Sequence, residues 1–405
     1  MSAPQRDHLH LAVAFDGAGW HPAAWREPDA RPTELLEAGY WVDLVQEAER
    51  GLLDFVTIED SLRLQSDDPF APDDRTDRVR GRLDAVLIAA RVAPLTEHIG
   101  LVPTAVVTHT EPFHLSKAIA TLDYVSSGRA GVRVQVSGRA DEAAHVGRRE
   151  IAPLRLDRLD DPATRQAMVD LFDEAGDYVE VLRRLWDSWE DDAEIRDVAT
   201  GRFVDRAKLH HVDFEGRWFS VRGPSITPRP PQGQPVVTAL GHQAVPYDLI
   251  ARAADVGFVT PHIISEAGGL VAEIHDRLAT AGRADGTVHV FADLVVVLDA
   301  TEQAAVERLA RLDERAGAPY RSDAEIFVGT PAGLADLLTE WQAAGLTGFR
   351  LRPATIPHDL QQITRELVPE LQRRGLFRDA YPTDGPTTLR GLLGLARPAN
   401  RYAEV

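Results

Sequence analysis

The feature that most constrains this chain is the repeated order of one apolar run followed by one helical pattern. Eight such runs occur along the 405 residues, at positions 10–15, 54–58, 99–107, 130–136, 235–240, 256–260, 288–298 and 347–351. Near-continuous apolar runs are typical of parallel strands that are covered on both faces. Eight strand–helix units predict an α/β fold that closes into a (β/α)8 TIM barrel, and the alternative is a doubly wound open sheet.

Two connections between the runs are too long for simple strand–helix loops. Residues 137–234 contain a helical pattern at 166–190, a hairpin pattern at 212–221 and then a Pro-rich stretch. We therefore predict a single barrel domain over residues 1–405, with a lid-like insertion between strands four and five at 137–234 that covers the barrel mouth. A smaller insertion spans 299–330, and the tail at 380–405 is predicted to wrap the barrel wall or a neighbour.

Composition excludes several classes of function. The net charge of −19 argues against a nucleic-acid partner, because basic surfaces supply most of that affinity. The absence of cysteine excludes disulfides and thiolate metal sites. No apolar run approaches the roughly 20 residues that span a bilayer, and the first ten residues lack the order of a signal peptide, so we predict a cytoplasmic protein without membrane contact. His8 and His10 have metal-motif spacing but precede their strand, at the wrong end of a barrel, so we predict no metal site.

Polar and titratable residues follow at least six of the runs, and barrel sites form at the C-terminal ends of the strands. The candidates from these positions are Asp16, Trp20, His21, Glu59, Asp60, Ser61, Thr104, Thr108, His109, His114, Arg133, Gln135, Ser137, Gly241, His242, Gln243, His262, Arg350 and Arg352. A neutral imidazole can donate or take a proton near pH 6.5, so we predict His21 and His114 as catalytic residues at the reacting end. The alternative for His114 is a cap on the helix that starts near Pro112.

Gly241, His242 and Gln243 follow a strand and precede the helical pattern at 245–254. Backbone N–H groups at a helix N-terminus are a natural seat for phosphate, and His242 can add a donor. The alternative is an ordinary strand–helix turn.

Several stretches together resemble one family. They are GLLDFV at 51–56, GLVPT at 100–104, SGRAG at 127–131, LWDSWEDDA at 185–193, PRPPQ at 228–232 and PELQRRGLF at 369–377. In this order, over nearly the whole chain, they resemble the bacterial-luciferase-like flavin-dependent oxidoreductases, in the branch of the nitrilotriacetate, dibenzothiophene-sulfone and long-chain-alkane monooxygenases. The resemblance implies a monooxygenase that takes reduced FMN from a separate flavin reductase and uses dioxygen to oxidise a small organic substrate. It also implies a homodimer or homotetramer.

At several positions the chain departs from the family pattern. The asparagine that contacts flavin is Arg133 here, and the phosphate-binding Gly-Ser-Ser is Gly241-His242-Gln243. The tyrosine of a Tyr-x-Arg motif aligns loosely with Phe172. On this basis the predicted cofactor-binding residues are Asp60, Thr104, Arg133, Gly241, His242 and Gln243. The departures leave two alternatives open: a deazaflavin-dependent oxidoreductase, or a non-catalytic barrel whose flavin site is altered or lost.

The predicted substrate pocket is mainly apolar. It comprises Phe15, Trp20, Val106, Val107, Phe172 and His262. Valines at 106 and 107 replace hydroxyl residues of the family pattern, which predicts a neutral or weakly polar substrate. A tricarboxylate would need several converging cations, and Arg133 and Arg352 are the only strong candidates in the sequence.

Overall fold

A computed structural model of the protein describes residues 8–68, 71–152, 161–284, 286–383 and 387–403. The strands are β1 (His10–Phe15), β2 (Phe55–Ile58), β3 (Gly100–Val106), β4 (Gly131–Gln135), β5 (Glu194–Asp197), β6 (Arg202–Val204), β7 (Phe214–Glu215), β8 (Ser220–Val221), β9 (Val236–Leu240), β10 (Val256–Val259), β11 (His289–Leu298), β12 (Glu325–Gly329) and β13 (Gly348–Pro353). The α-helices are α1 (Ala38–Arg50), α2 (Ala85–Val92), α3 (Pro112–Val125), α4 (Ala140–Val146), α5 (Pro162–Asp187), α6 (Ala244–Ala253), α7 (Ile264–Thr280), α8 (Glu302–Ala316), α9 (Pro331–Ala343), α10 (His358–Gln362), α11 (Val368–Arg373) and α12 (Leu389–Leu392). A π-helical turn, Ile363–Leu367, joins α10 to α11.

Eight parallel strands close into a barrel in the order β1, β2, β3, β4, β9, β10, β11 and β13, and β13 pairs back to β1. This confirms the predicted TIM barrel and all eight predicted strands. The open-sheet alternative is wrong, because β10 and β11 pair and leave no gap in the ring.

A further strand, β12, pairs outside the ring with the end of β11, from Leu294 opposite Glu325 to Leu298 opposite Gly329. The ten residues of β11 are enough to pair β10 at the start, β13 in the middle and β12 at the end. Strand β12 was not predicted because its side chains are only half-buried, so it lacks the long apolar run of the barrel strands.

Strand side chains alternate between two cores, as a period of two requires. On β1, Ala12 points into the barrel, whereas Leu11, Val13 and Phe15 pack against the helices. Val107, after β3, also belongs to the core between strands and helices. The prediction that Phe15 and Val107 line the pocket is therefore corrected: both point away from the barrel interior.

The described part of the C-terminal tail fills the end of the barrel opposite the mouth. Leu389 and Leu393 pack with Phe55 in the interior core. Gly100 and Gly131 admit Leu389, because a Cβ atom on them would lie 2.5 Å and 3.2 Å from its methyl carbons. His289 donates from Nε2 to the Leu393 carbonyl oxygen at 2.7 Å. The predicted tail boundary at 380 stays a prediction, and residues 384–386 and 404–405 lie outside the described residues.

The long connection after β4 contains α4, α5 and two hairpins. Helix α5 begins at Pro162 because the Asp161 side chain caps it, accepting from the Thr164 N–H at 2.9 Å. The hairpin predicted at 212–221 is present as β7 and β8, whereas the β5–β6 hairpin was not predicted. The Trp186 indole donates to the Ser116 carbonyl oxygen at 3.0 Å, which ties α5 to α3. The lid role of 137–234 stays a prediction, and residues 153–160 of it lie outside the described part of the chain.

Candidate active site

Charged side chains cover the floor of the barrel mouth. Arg133 of β4 points inward, pairs with Glu59 and donates to Thr104 Oγ1 at 3.0 Å. Glu59 also accepts from Arg350 at 3.2 Å, and Asp293 of β11 pairs with Arg350. Burial lowers the pKa of Arg133, and the negative charge of Glu59 opposes that shift.

The same chain of ion pairs continues to the rim. Asp293 also pairs with Arg352, whose Nη1 donates to Asp323 at 2.6 Å. Burial tends to raise the pKa of Asp323, but the charge and the hydrogen bond of Arg352 together hold that pKa well below its usual range. His242 Nε2 lies 3.4 Å from Asp323, and the Arg352 guanidinium lies 4.5 Å from the centre of the Trp20 ring. We call Glu59, Arg133, Asp293, Asp323, Arg350 and Arg352 the mouth network.

A cavity of about 170 Å³ opens at the rim between the β1–α1 loop and residues 65–67 and 78–80. Asp16, Trp20 and Arg78 are among its lining residues. Burial raises the pKa of Asp16; Arg82, which donates to both carboxylate oxygens at 2.9 Å and 3.0 Å, opposes the rise, and Glu59 adds to it. The sequence places Asp16 among the strand-end candidates, because it comes directly after a barrel strand, but assigns it no catalytic or binding role.

A second cavity, of about 210 Å³, lies where β4 and β9 end and α5 and α6 begin, and we call it the phosphate cavity. Ser137, Arg139, Phe172, His242 and Gln243 line it. Burial lowers the pKa of His242, although Asp323 pulls it upward.

Gly241 allows α6 to start close to the end of β9. A Cβ atom at this position would lie 2.7 Å from the Tyr247 ring, nearer than any side chain tolerates. Gln243, directly before α6, and Pro246, in its first turn, line the cavity, so the start of α6 lies beside it. Pro246 has no N–H, so Ala244 and Val245 provide the N–H groups of this first turn.

A family model described as "Luciferase-like monooxygenase" matches residues 20–328, about three-quarters of the chain. The chain belongs to the luciferase-like monooxygenase family. It is 30% identical to N-acetyl-S-(2-succino)cysteine monooxygenase of Bacillus subtilis (strain 168), over 99% of each chain. It is also 30% identical to nitrilotriacetate monooxygenase component A of Aminobacter aminovorans, over 98% of each. Full-length relatives with this activity make the chain an oxidoreductase of the monooxygenase type.

Solved structures share the fold along almost the whole chain. The riboflavin lyase RcaE superposes with a TM-score of 0.82 at 25% identity, and 98% of each chain is covered. The long-chain alkane monooxygenase LadA superposes with a TM-score of 0.81 at 23% identity, over 96% of each chain.

In this luciferase-like monooxygenase, six predicted residues meet at two places. Gly241, His242, Gln243 and Phe172 meet at the phosphate cavity. Thr104 and Arg133 meet at the mouth floor. Trp20 lies at the rim, where its indole donates to the Ala14 carbonyl oxygen at 2.9 Å.

Other predicted residues lie apart from these groups. Asp60 accepts from the Ala85 N–H at 2.9 Å, and its carboxylate therefore supports the start of α2. His262 is exposed and lies 3.2 Å from Glu325. Val106 is buried and on the inward face of β3, in register with Gln135.

The two predicted catalytic histidines occupy unlike positions. His21 is buried, Nε2 lies 3.1 Å from Asp313, and Nδ1 accepts from the Ala23 N–H at 3.1 Å. Burial lowers its pKa, and the hydrogen bond to Asp313 opposes that shift. His114 is exposed in the first turn of α3 and makes no capping hydrogen bond there, so the capping alternative is wrong.

Among the described residues, no helix combines the length and the apolar composition that a membrane span requires. No group of three His, Asp or Glu residues there has the arrangement of a metal site.

Proposed function

We propose that this luciferase-like monooxygenase binds reduced FMN at the barrel mouth and uses dioxygen to oxidise a small organic molecule. A separate flavin reductase supplies the reduced flavin, and the protein works as a homodimer or homotetramer. The observation that carries the proposal is the phosphate cavity, at the strand ends where ligands bind in such barrels. The nitrilotriacetate relative is named as one component of a monooxygenase, which supports a separate partner component.

The residues of the phosphate cavity fit the phosphate end of a flavin nucleotide. Arg139 pairs with Glu142 at 3.2 Å, and its guanidinium can in addition give charge-assisted hydrogen bonds to phosphate oxygens. The start of α6 adds N–H groups and the positive end of the helix dipole. Ser137 and Gln243 add neutral donors, and Phe172 provides an apolar wall.

Reduced flavin, when bound, supplies the electrons and activates dioxygen for the oxidation. The chain itself binds and orients the reactants and keeps water from them. The two hydrogen bonds from Arg82 fix the position of the Asp16 carboxylate at the rim, where it can orient a bound reactant. The neighbouring ring of Trp20 gives that part of the mouth an apolar surface.

We further propose a neutral or weakly polar substrate. Phe15 and Val107 point away from the barrel interior, whereas Val106 faces it. The pairing of the mouth arginines is the observation that supports such a substrate. Arg133 and Arg352 are held by mouth-network carboxylates, and Arg78 and Arg82 by Asp67 and Asp16. A polyanionic substrate would have to break these pairs, at the cost of leaving buried charges unpaired.

A second candidate function is a non-catalytic luciferase-like barrel. The observation that favours it is the guanidinium of Arg133, which lies on the floor of the mouth and already binds Glu59, Thr104 and Gln135. The deazaflavin alternative has no comparable observation in its favour, and titration with a deazaflavin tests it directly.

Arg139→Ala is expected to weaken FMN binding by about 10-fold or more, because it removes the charged phosphate donor. Riboflavin, which lacks the phosphate, should bind the variant and the wild type equally. Fluorescence titration of FMN, riboflavin and a deazaflavin against each protein measures this. Arg373→Ala, at an exposed position on α11, is the control and should bind FMN normally. If the wild type binds neither FMN nor deazaflavin, the non-catalytic candidate is the right one.

His21→Ala and His114→Ala are each expected to lower turnover while FMN affinity is retained, as the proposed catalytic roles require. His21→Ala should also lower the melting temperature, because it leaves the Ala23 N–H without its acceptor and removes one hydrogen bond of Asp313. Turnover is therefore measured well below that melting point, with reduced FMN supplied chemically. A variant with wild-type turnover would place its histidine outside the reacting site.

A further inference from the structure

A cavity of about 200 Å³ lies outside the barrel mouth, between the β3–α3 loop, α4, α5 and the β7–β8 hairpin. We call it the side cavity. The Ser137 N–H donates to Thr108 Oγ1 at 2.8 Å. Because Ser137 lines the phosphate cavity and Thr108 lines the side cavity, this contact forms a shared wall between two distinct spaces.

His109 lines the side cavity and has a ring nitrogen whose hydrogen-bonding capacity is unused. The residue is only 8% exposed, and its Nε2 atom is buried without a hydrogen-bond partner among the described residues. A buried polar atom without a partner destabilises the folded protein, so few are left in native proteins unless a ligand or water completes their hydrogen bonds. The imidazole of this cavity-lining residue thus has spare hydrogen-bonding capacity.

The charges around the side cavity cancel. Arg148 pairs with Glu111, and Arg149 donates to Glu174 at 2.7 Å. Burial lowers the pKa of His109, and the nearby positive charge of Arg149 lowers it further, so the ring is neutral at pH 7. A charged ligand would disturb paired ions, whereas an uncharged one would not.

Aromatic rings form the apolar side of the same cavity. Tyr178 and Phe219 pack edge to face with their ring centres 6.2 Å apart, and Trp218 lies beside them. The Tyr178 hydroxyl is already hydrogen-bonded to Thr110 Oγ1 at 2.9 Å, so it is not an open donor. Such walls favour a flat apolar ring.

We propose that the side cavity binds a small, uncharged ring compound that carries one hydroxyl or carbonyl group. The ring packs on Phe219 and Trp218, and the polar group hydrogen-bonds to His109. A volume of about 200 Å³ limits the ligand to one ring with a short substituent. This site goes beyond the proposed flavin-dependent function and does not require it, because none of these groups lines the phosphate cavity.

Phenol is the probe, with toluene and benzoate as matched compounds that lack the polar group or carry a charge. Ligand-observed NMR and calorimetry on the full chain are expected to give one saturable phenol site with Kd on the order of 1 mM, as for a ligand this small. Benzoate should bind at least ~10-fold more weakly. His109→Phe should weaken phenol binding by about 10-fold and leave toluene binding within twofold, because it removes only the hydrogen bond.

Val146→Trp is the second variant. Val146 lines the cavity but is 36% exposed, so a larger side chain there narrows the space without disturbing the core. It should weaken phenol and toluene alike, whereas His275→Phe, on the exposed face of α7, should change neither. The proposal is overturned if the wild type shows no saturable phenol binding, if benzoate binds as tightly, or if Val146→Trp leaves phenol affinity unchanged. Should His109→Phe fail to fold, the Val146→Trp result decides. FMN titration of the same samples reports on the proposed function separately.

Discussion

Asp293→Ala is expected to lower the free energy of unfolding by about 3–5 kcal/mol, the cost of breaking a buried ion pair from one side. Asp293 is fully buried and accepts hydrogen bonds from both Arg350 and Arg352. Burial tends to raise the pKa of Asp293, but these two arginines together hold that pKa below its usual range, so the carboxylate is ionised. Removing this carboxylate takes away a negative charge that balances the buried guanidiniums of Arg350 and Arg352. Urea unfolding followed by circular dichroism measures the change.

The matched control is Asp336→Ala, which breaks an exposed pair with Arg374. Asp336 has a side chain that is 68% exposed, so its loss should change the unfolding free energy by less than ~1 kcal/mol. Equal effects of the two substitutions would mean that the mouth network contributes no more than surface charge does. Asp293→Ala should also abolish FMN binding, because the floor beneath the proposed site loses its order.

Acidification from pH 7 to pH 4 is expected to remove about 3 kcal/mol of stability through His289 alone. Burial, with a smaller contribution from His10, lowers the pKa of His289 to about 4, against an ordinary value of 6.5. Between pH 6.5 and pH 4, this imidazole is protonated in the unfolded chain and neutral in the folded protein. Stability from this group is therefore complete above pH 6.5, falls as the pH drops toward 4, and changes no further below it.

The location of His289 gives that loss a structural meaning. It is 7% exposed and holds the Leu393 carbonyl oxygen, so its protonation places a charge where the tail enters the barrel. His289→Gln keeps an N–H donor but does not titrate, so the variant should show a flatter stability profile between pH 7 and pH 4. His275→Gln, at an exposed position, should keep the wild-type profile. If His289→Gln retains the full acid slope, other titrating groups cause that slope.

Asp54 is a buried carboxyl whose contribution to stability is lost only at lower pH. Burial tends to raise its pKa, but Arg378 and His10 hold that pKa below its ordinary value.

Much of the fold follows from the order of residues alone. Strands covered on both faces must be apolar throughout, so each barrel strand is visible as a run, and eight alternations admit few architectures. The order of residues also indicates which end of the barrel carries the site, because polar residues such as Asp16, Glu59 and His242 come after the runs. The helix start behind Gly241 could be predicted because it depends only on neighbours in the chain.

Only the tertiary structure decided which face of each strand points inward. A strand that is apolar on both faces has no hydrophobic alternation to reveal its orientation, and this is why Phe15 and Val107 were misplaced. Partners distant in the chain were hidden for a related reason. His21 meets Asp313 across 292 positions, and Arg133 meets Glu59 across 74. Local spacing carries no information about such pairs, because barrel closure, rather than the chain between them, brings the charges together.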